Sequence, residues 1–188
     1  MKGGCIPLNI LLVHKKGVKM KLPTIILLGF FIALFGCKED TTISESHGRA
    51  LMKIWESGKV KDLENIMDQD VVYEAVQQGI SYKGIKEVSD YVGHVTSFTK
   101  DLKIEVISIK STEKTAIIEW IMSGIQDRPI PGRITIATNK KFSIRGVTIV
   151  EIKNGLISKA TDYMDVLGFV IQLGARVELP GGVVLENN

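Results

Sequence analysis

The chain has 188 residues, 24 of them basic and 21 acidic, for a formal net charge of +3. Five of the basic residues and none of the acids lie before Cys37, so the remainder carries a net charge of −2, and without a basic cluster no nucleic acid is expected as a partner. Cys5 and Cys37 are the only cysteines, and His47 and His94 the only histidines beyond Cys37; that part has no internal disulfide or thiol nucleophile, and no metal or cofactor is expected.

In chain order, Lys21 precedes an apolar run from Leu22 to Gly36 that is broken only by Pro23 and Thr24. The run is short for a membrane span and follows lysines, which reads as an export leader. Leu34-Phe35-Gly36-Cys37 resembles the bacterial lipoprotein box, in which the cysteine is lipidated and becomes the first residue. That resemblance implies membrane attachment through Cys37 and an outer-membrane lipoprotein of the cell envelope, with the periplasmic or surface-facing side left open. Lys38-Glu39-Asp40 resembles a surface-export signal of Bacteroidetes-type lipoproteins. Met20-Lys21 opens a complete leader by itself, which makes Met20 an alternative start. The expected organisation is a leader over 1–36, a polar tether over 37–46, one domain over 47–174 and a partly ordered tail over 175–188.

His47 to Trp55 reads as a helix with Leu51, Ile54 and Trp55 on its core face, an N-cap at Ser44 or Ser46, and a stop at Gly58. Val60 to Met67 reads as a second, short helix, and Val71 to Val76 as a strand ending in a Gln-Gln-Gly turn. Gly84 opens a helix from Ile85 to Phe98 whose apolar stripe is Ile85, Val88, Val92 and Val95. Long strands follow at Leu102 to Ile109, Thr115 to Ile125 and Phe142 to Ile152. Between the last two, Pro129 and Pro131 disfavour a central strand, and Ile134, Ile136 and Thr138 are expected in a short one. Asn154-Gly155 is a tight-turn signal that returns the chain antiparallel from Leu156 to Met164. Asp165 is placed to cap a closing segment over Val166 to Leu173, with Gly174 ending it.

This order predicts an α+β fold: a curved, mostly antiparallel sheet wrapped by N-terminal helices. The strands are apolar on both sides, with Ile118, Trp120 and Met122 on one and Ile117 and Ile121 on the other. One face is therefore expected to pack on helices, while the other lines a small-ligand pocket or forms a homodimer through the sheet. Asp162 shares its face with Ala160 and Met164, where a carboxylate is costly unless bonded, paired or used in chemistry.

Tyr82-Lys83-Gly84-Ile85, Phe98, Glu119-Trp120-x-x-x-Gly124, Ala137-Thr138-Asn139-Lys140, Arg145-Gly146-Val147, Asn154-Gly155-Leu156-Ile157 and Asp162-Tyr163-x-Asp165 together resemble the SnoaL-like polyketide cyclase or ester cyclase branch of the NTF2-like superfamily. The resemblance covers Ser44 to Gly174 and implies the cone-shaped fold of that group. It also implies that Asp162 is an acid/base aspartate. Trp120 and Met122 stand where epoxide hydrolases of this fold carry an arginine and an aspartate, and Leu51 and Ala75 where ketosteroid isomerases carry a tyrosine and a base. Cyclase-type chemistry is what these departures leave.

Such chemistry requires removal of an acidic α-proton and protonation of the resulting oxyanion, within reach of one desolvated carboxylate. Asp162 is the expected base and acid, with His94 as its imidazole partner. Trp120, Met122 and Tyr82 are the expected apolar walls and mouth. Arg145 reads equally as a partner for a substrate carboxylate, a clamp on an aspartate, or an outward ion pair. Tyr163 alternates away from Asp162, toward core or interface. The primary expectation is a cyclase- or isomerase-type enzyme for a small apolar carbonyl substrate. The alternatives are a non-catalytic lipoprotein binding a small hydrophobic ligand, and a structural or dimerisation module of the envelope.

Overall fold

Two-residue periodicity along four long segments builds the frame of the protein. In the computed structural model, which describes residues 41–187, these segments are β3 (Thr99–Ser111), β4 (Thr115–Gln126), β5 (Lys141–Lys153) and β6 (Leu156–Met164). With β1 (Met67–Ala75) and β2 (Ile80–Lys83) they form one six-stranded sheet, in the order β2-β1-β6-β5-β4-β3. Every neighbouring pair is antiparallel except β1 with β6, which run parallel. The fold is α+β with a curved, antiparallel-rich sheet, as the element order implied.

The β5–β6 hairpin sets the register on which the site depends. Asn154 and Gly155 take φ values of 53° and 81°, the left-handed pair that a two-residue turn needs. The turn sets Lys153 opposite Leu156 and Ile152 opposite Ile157; a one-residue register shift between Glu151 and Ile152 then brings Thr148, rather than Val147, opposite Asp162. On the other side of β6, Ala75 of β1 pairs with the same aspartate.

Among the described residues three α-helices accompany the sheet: α1 (Ile43–Ser57), α2 (Gly84–Ser97) and α3 (Val166–Gln172). Helix α1 begins earlier than the sequence pattern suggested, inside the segment read as tether. Its cap is Thr42, whose side chain accepts the Glu45 amide at 3.2 Å. Thr42-x-x-Glu45 has the capping-box spacing that neither Ser44 nor Ser46 has. Ser44 instead lies buried in the helix and donates to the Thr112 carbonyl. Gly58 ends the helix in the left-handed region, its amide bonded to the Ile54 carbonyl at 2.9 Å. The short helix expected over Val60 to Met67 is a 3₁₀ segment, Val60–Asn65, and Met67 already belongs to β1. Asp165 caps α3 through its Oδ1, which accepts the Gly168 amide at 2.7 Å.

The concave side of the sheet carries Tyr73, Ile118, Trp120, Met122, Ile144 and Val150, all buried with the inward residues of α1 and α2. Helix packing and pocket therefore share one face, rather than taking one face each. Curvature is the reason: it opens a space between sheet and helices that side chains do not fill. The convex side leaves Ile117 and Tyr163 half exposed, so Tyr163 is not a core residue. The homodimer expected through the sheet would use this side.

The segment 127–140 crosses above the concave face without becoming a strand; only an isolated bridge joins Ile130 to Ile134. Three of its backbone polar groups are satisfied by the side chain of the fully buried Gln126. The Gln126 amide nitrogen donates to the Arg128 carbonyl and, at 3.0 Å, to that of Ile136. Its oxygen accepts the Thr138 amide at 2.7 Å and the Thr138 hydroxyl. That local alternative to a ladder is why the short strand does not form. In the tail, Val177–Glu178 and Val184–Leu185 pair as a small hairpin, β7 and β8. No helix among the described residues is long and apolar enough to cross a membrane. The leader over 1–36, Met20, Cys37 and Lys38-Glu39-Asp40 lie outside the described residues.

Gln126→Leu strands several buried amide and carbonyl groups in one loop. It is expected to lower stability by roughly 1–3 kcal/mol. Amide exchange at Thr138 should quicken far more than exchange in β4; equal protection in both variants would refute the stapling role.

Candidate active site

Strand alternation turns Asp162 inward from the middle of β6, and two hydroxyls meet it there. Tyr73 of β1 donates to Oδ2 and Thr148 of β5 donates to Oδ1. Thr148 can give its proton to the carboxylate because its own oxygen accepts the Trp120 indole N–H at 2.8 Å. The chain Trp120–Thr148–Asp162–Tyr73 thus crosses four strands, β4, β5, β6 and β1. Gly146 makes room for it: any Cβ there would collide with the Trp120 ring and lie 2.7 Å from the Tyr163 carbonyl oxygen.

Asp162 is only 7% exposed, and what exposure remains faces a cavity of about 410 Å³. Trp55, Trp120, Met122, Phe98, Ile104 and Phe169 supply much of its apolar wall. Ile130, Pro131 and Ile134 reach over it from the stapled loop. The volume suits a ligand of a few rings. Polar groups are few: Asp162 and Thr148 on the floor, with Tyr82, Tyr91, Gln78, His94 and Arg133 elsewhere on the lining.

Burial pushes the Asp162 carboxyl up from 3.8 to about 6, although the hydrogen bonds from Thr148 and Tyr73 pull the other way. Burial likewise raises the Tyr73 hydroxyl well above its usual value, reinforced by the Asp162 charge beside it. Tyr73 is therefore a fixed donor, and Asp162 is the group whose proton is mobile near neutral pH.

The structure gathers Asp162, Trp120, Met122, Tyr82 and His94 around one cavity. Arg145 is not among its lining residues. It stands exposed on the convex face, 3.7 Å from Glu119, because its strand position has the opposite parity to Ile144 and Gly146. Asp162 is bonded by Tyr73 and Thr148 and not by His94. His94 is exposed in the last turn of α2, with its ring against Phe98 at 5.9 Å. Sequence reasoning missed Tyr73, Thr148, Tyr91 and Arg133. The alternation Val71-x-Tyr73-x-Ala75 and the helical spacing Val88, Tyr91, Val95 were signals for the two tyrosines. Trp55, expected in the core, is both buried and part of the wall.

A curved, antiparallel-rich sheet backed by helices, with an apolar cavity on its concave side, is the architecture of the NTF2-like fold. The family profile described as SnoaL-like polyketide cyclase matches residues 45–173, and the chain belongs to that family. Among solved structures it is similar to TsrD from Streptomyces laurentii, at 22% identity and a TM-score of 0.63, covering 71% of this chain and 96% of that one. It is also similar to wild-type IdmH from Streptomyces antibioticus, at 16% identity and a TM-score of 0.61, covering 70% and 99%. A structure from Jannaschia Sp. CCS1 shares 12% identity with a TM-score of 0.62, covering 72% and 96%. At these identities the likenesses establish the fold. No curated protein matches the chain.

The raised Asp162 pKa has a consequence for stability with a definite sign. The unfolded chain releases this proton first, near 3.8, and the folded protein only at about 6. The favourable contribution of the neutral carboxyl is therefore present below the unfolded value and is lost as pH rises through the folded one. Asp162→Asn cannot ionise and should lack this loss. Its stability relative to the native protein should improve between about pH 4 and pH 7, by at most about 3 kcal/mol. Thermal denaturation at several pH values measures this; a gap independent of pH would contradict an apolar setting for Asp162.

Proposed function

We propose that the protein is a cyclase- or isomerase-type enzyme acting on a small apolar carbonyl compound, with Asp162 as general base and then general acid. The observation that carries this reading is the buried Asp162 carboxyl, tuned to about 6, at the floor of an apolar cavity of about 410 Å³. A carboxylate in that range is ionised at neutral pH yet basic enough to take a proton from carbon next to a carbonyl. Each oxygen is oriented by one hydroxyl donor, and an sp² oxygen has a second lone pair available for the proton. Removal of the α-proton leaves an enolate; its attack on a second carbonyl closes a ring, and the proton held by Asp162 returns to the new alkoxide. Return to a different carbon instead gives an isomerisation. Membership of the family supports this reading, as do the names of neighbours such as the Jannaschia protein, which is designated a proposed SnoaL-like polyketide cyclase.

The predominantly apolar wall also favours a second reading, a carrier that binds a hydrophobic ligand without changing it. Deuterium exchange at the α-carbon of acetylnaphthalene, followed by NMR, separates the two. An enzyme should accelerate exchange, with a rate that rises with pH through about 6 and then levels. Asp162→Asn should lose roughly a hundredfold or more of it. A carrier would bind the ketone and leave exchange at the buffer rate.

We further propose that Cys37 is lipidated and tethers the domain to the envelope. Its place after Leu34-Phe35-Gly36 supports this. Cys37→Ala should move the protein from the membrane to the soluble fraction and abolish incorporation of labelled fatty acid; unchanged fractionation and labelling would reject the anchor.

A further inference from the structure

A polar arm on the lining lies outside the acid/base pair and is not used by the reading above. Arg133, on the loop stapled by Gln126, donates from its guanidinium to Gln78 Oε1 at 2.8 Å. Gln78 in turn donates from Nε2 to the Tyr91 hydroxyl at 3.1 Å. Tyr91 thus accepts one bond, and its own O–H proton is not used in any hydrogen bond among the described residues. Burial raises the Tyr91 pKa, while Gln77 lies close enough for its amide to pull it slightly down; the Tyr91 proton stays in place, and the Gln77 amide atoms make no hydrogen bond of full geometry. All three members of the arm line the cavity that Asp162 faces.

The aromatic packing around Tyr91 holds the ring in place. It stacks on Tyr82 at 4.2 Å, meets Trp55 edge-on at 5.3 Å and meets Tyr73 edge-on at 5.8 Å. Tyr73 is the residue that grips Asp162, so Tyr91 is the aromatic neighbour of the acid/base floor. Its side chain is 5% exposed, and this packing fixes where the phenolic oxygen sits on the cavity wall. A buried donor with its proton unspent, facing an apolar cavity, is costly unless a ligand atom accepts it.

We propose that Tyr91 is the electrophile of this site, donating its phenolic O–H to the carbonyl oxygen of the substrate whose α-proton Asp162 removes. Gln78 and Arg133 are positioning residues that orient and polarise that donor. As the C–H bond breaks, its electron pair becomes the C–C π bond and the carbonyl π pair moves to oxygen. The proton goes to Asp162, and the negative charge grows on the oxygen that Tyr91 holds. A donor fixed before charge develops stabilises the transition state more than the ground state. Burial pushes the Tyr91 pKa far upward, so it keeps its proton while it donates, and the nearby Arg133 charge offsets part of that rise. The substrate class follows: an apolar ring system with one carbonyl oxygen directed at α2 and its acidic C–H directed at β6.

This inference rests on the proposed function, and the test separates the two. The detergent-solubilised full chain is titrated with acetylnaphthalene, isotopically labelled at the carbonyl carbon, and with ethylnaphthalene as a carbonyl-free control. On binding, the carbonyl stretch should move to lower frequency than in hexane. Tyr91→Phe should return the band toward its hexane position and weaken ketone binding about tenfold. Ethylnaphthalene affinity should stay unchanged, which also shows that the variant folds. Gln78→Leu and Arg133→Gln should give intermediate band positions. An unaltered band in Tyr91→Phe overturns the role of Tyr91 while leaving the acid/base reading of Asp162 in place. If neither compound binds the native protein, the apolar-ligand reading falls and takes this inference with it.

Discussion

One buried carboxyl group constrains the rest of this protein. An ionisable side chain placed among Ala160, Met122 and two tryptophans would be expelled or permanently neutral without support. Here the support is two hydroxyls, one from each strand flanking β6, each engaging a different carboxyl oxygen. The arrangement tolerates both protonation states, because burial favours the acid while the two donors favour the anion. Neither influence prevails completely, and the group is left titrating near neutrality.

Holding that balance imposes demands outward through the sheet. Thr148 serves as a donor only because the Trp120 indole occupies its acceptor site, and the Trp120 ring fits only because Gly146 lacks a side chain. The Asn154-Gly155 turn together with the register shift between Glu151 and Ile152 fixes which β5 residue faces Asp162; without that shift Val147 would stand there, facing the wrong side. Above the floor, Gln126 does for the loop what a ladder would do for a strand. It spends its amide on backbone groups, so that Ile130, Pro131, Arg133 and Ile134 can roof the cavity without joining the sheet.

The lining divides into two chemistries. On the floor Asp162 titrates at about 6, whereas the Arg133–Gln78–Tyr91 arm carries a hydroxyl too weakly acidic to lose its proton. The proposed removal of a proton from carbon would benefit from that division, since base and oxyanion donor must not neutralise each other. His94, the imidazole that the sequence made conspicuous, sits at neither post; it is exposed at the end of α2.

Local pattern was sufficient for most of the architecture. The four long strands, the tight turn, the Gly58 stop and the Asp165 cap were all legible, because each depends on residues within a few positions of one another. Asp162 was legible too, since a charged residue in an otherwise apolar alternation is anomalous at any register. Arg145 kept three readings in the sequence, of which the structure shows the outward ion pair, because alternation assigns a face only when the face toward the core is known, and β5 carries apolar residues on both. What tertiary structure alone decided was the company Asp162 keeps. Tyr73 lies 89 residues away along the chain and reaches it through the parallel β1–β6 pairing, an unusual neighbour in a sheet otherwise antiparallel. Tyr91 and Arg133 come from a helix and an irregular loop, brought together by docking on the concave face. Periodicity states which way a side chain points; only strand order and helix docking state what it meets.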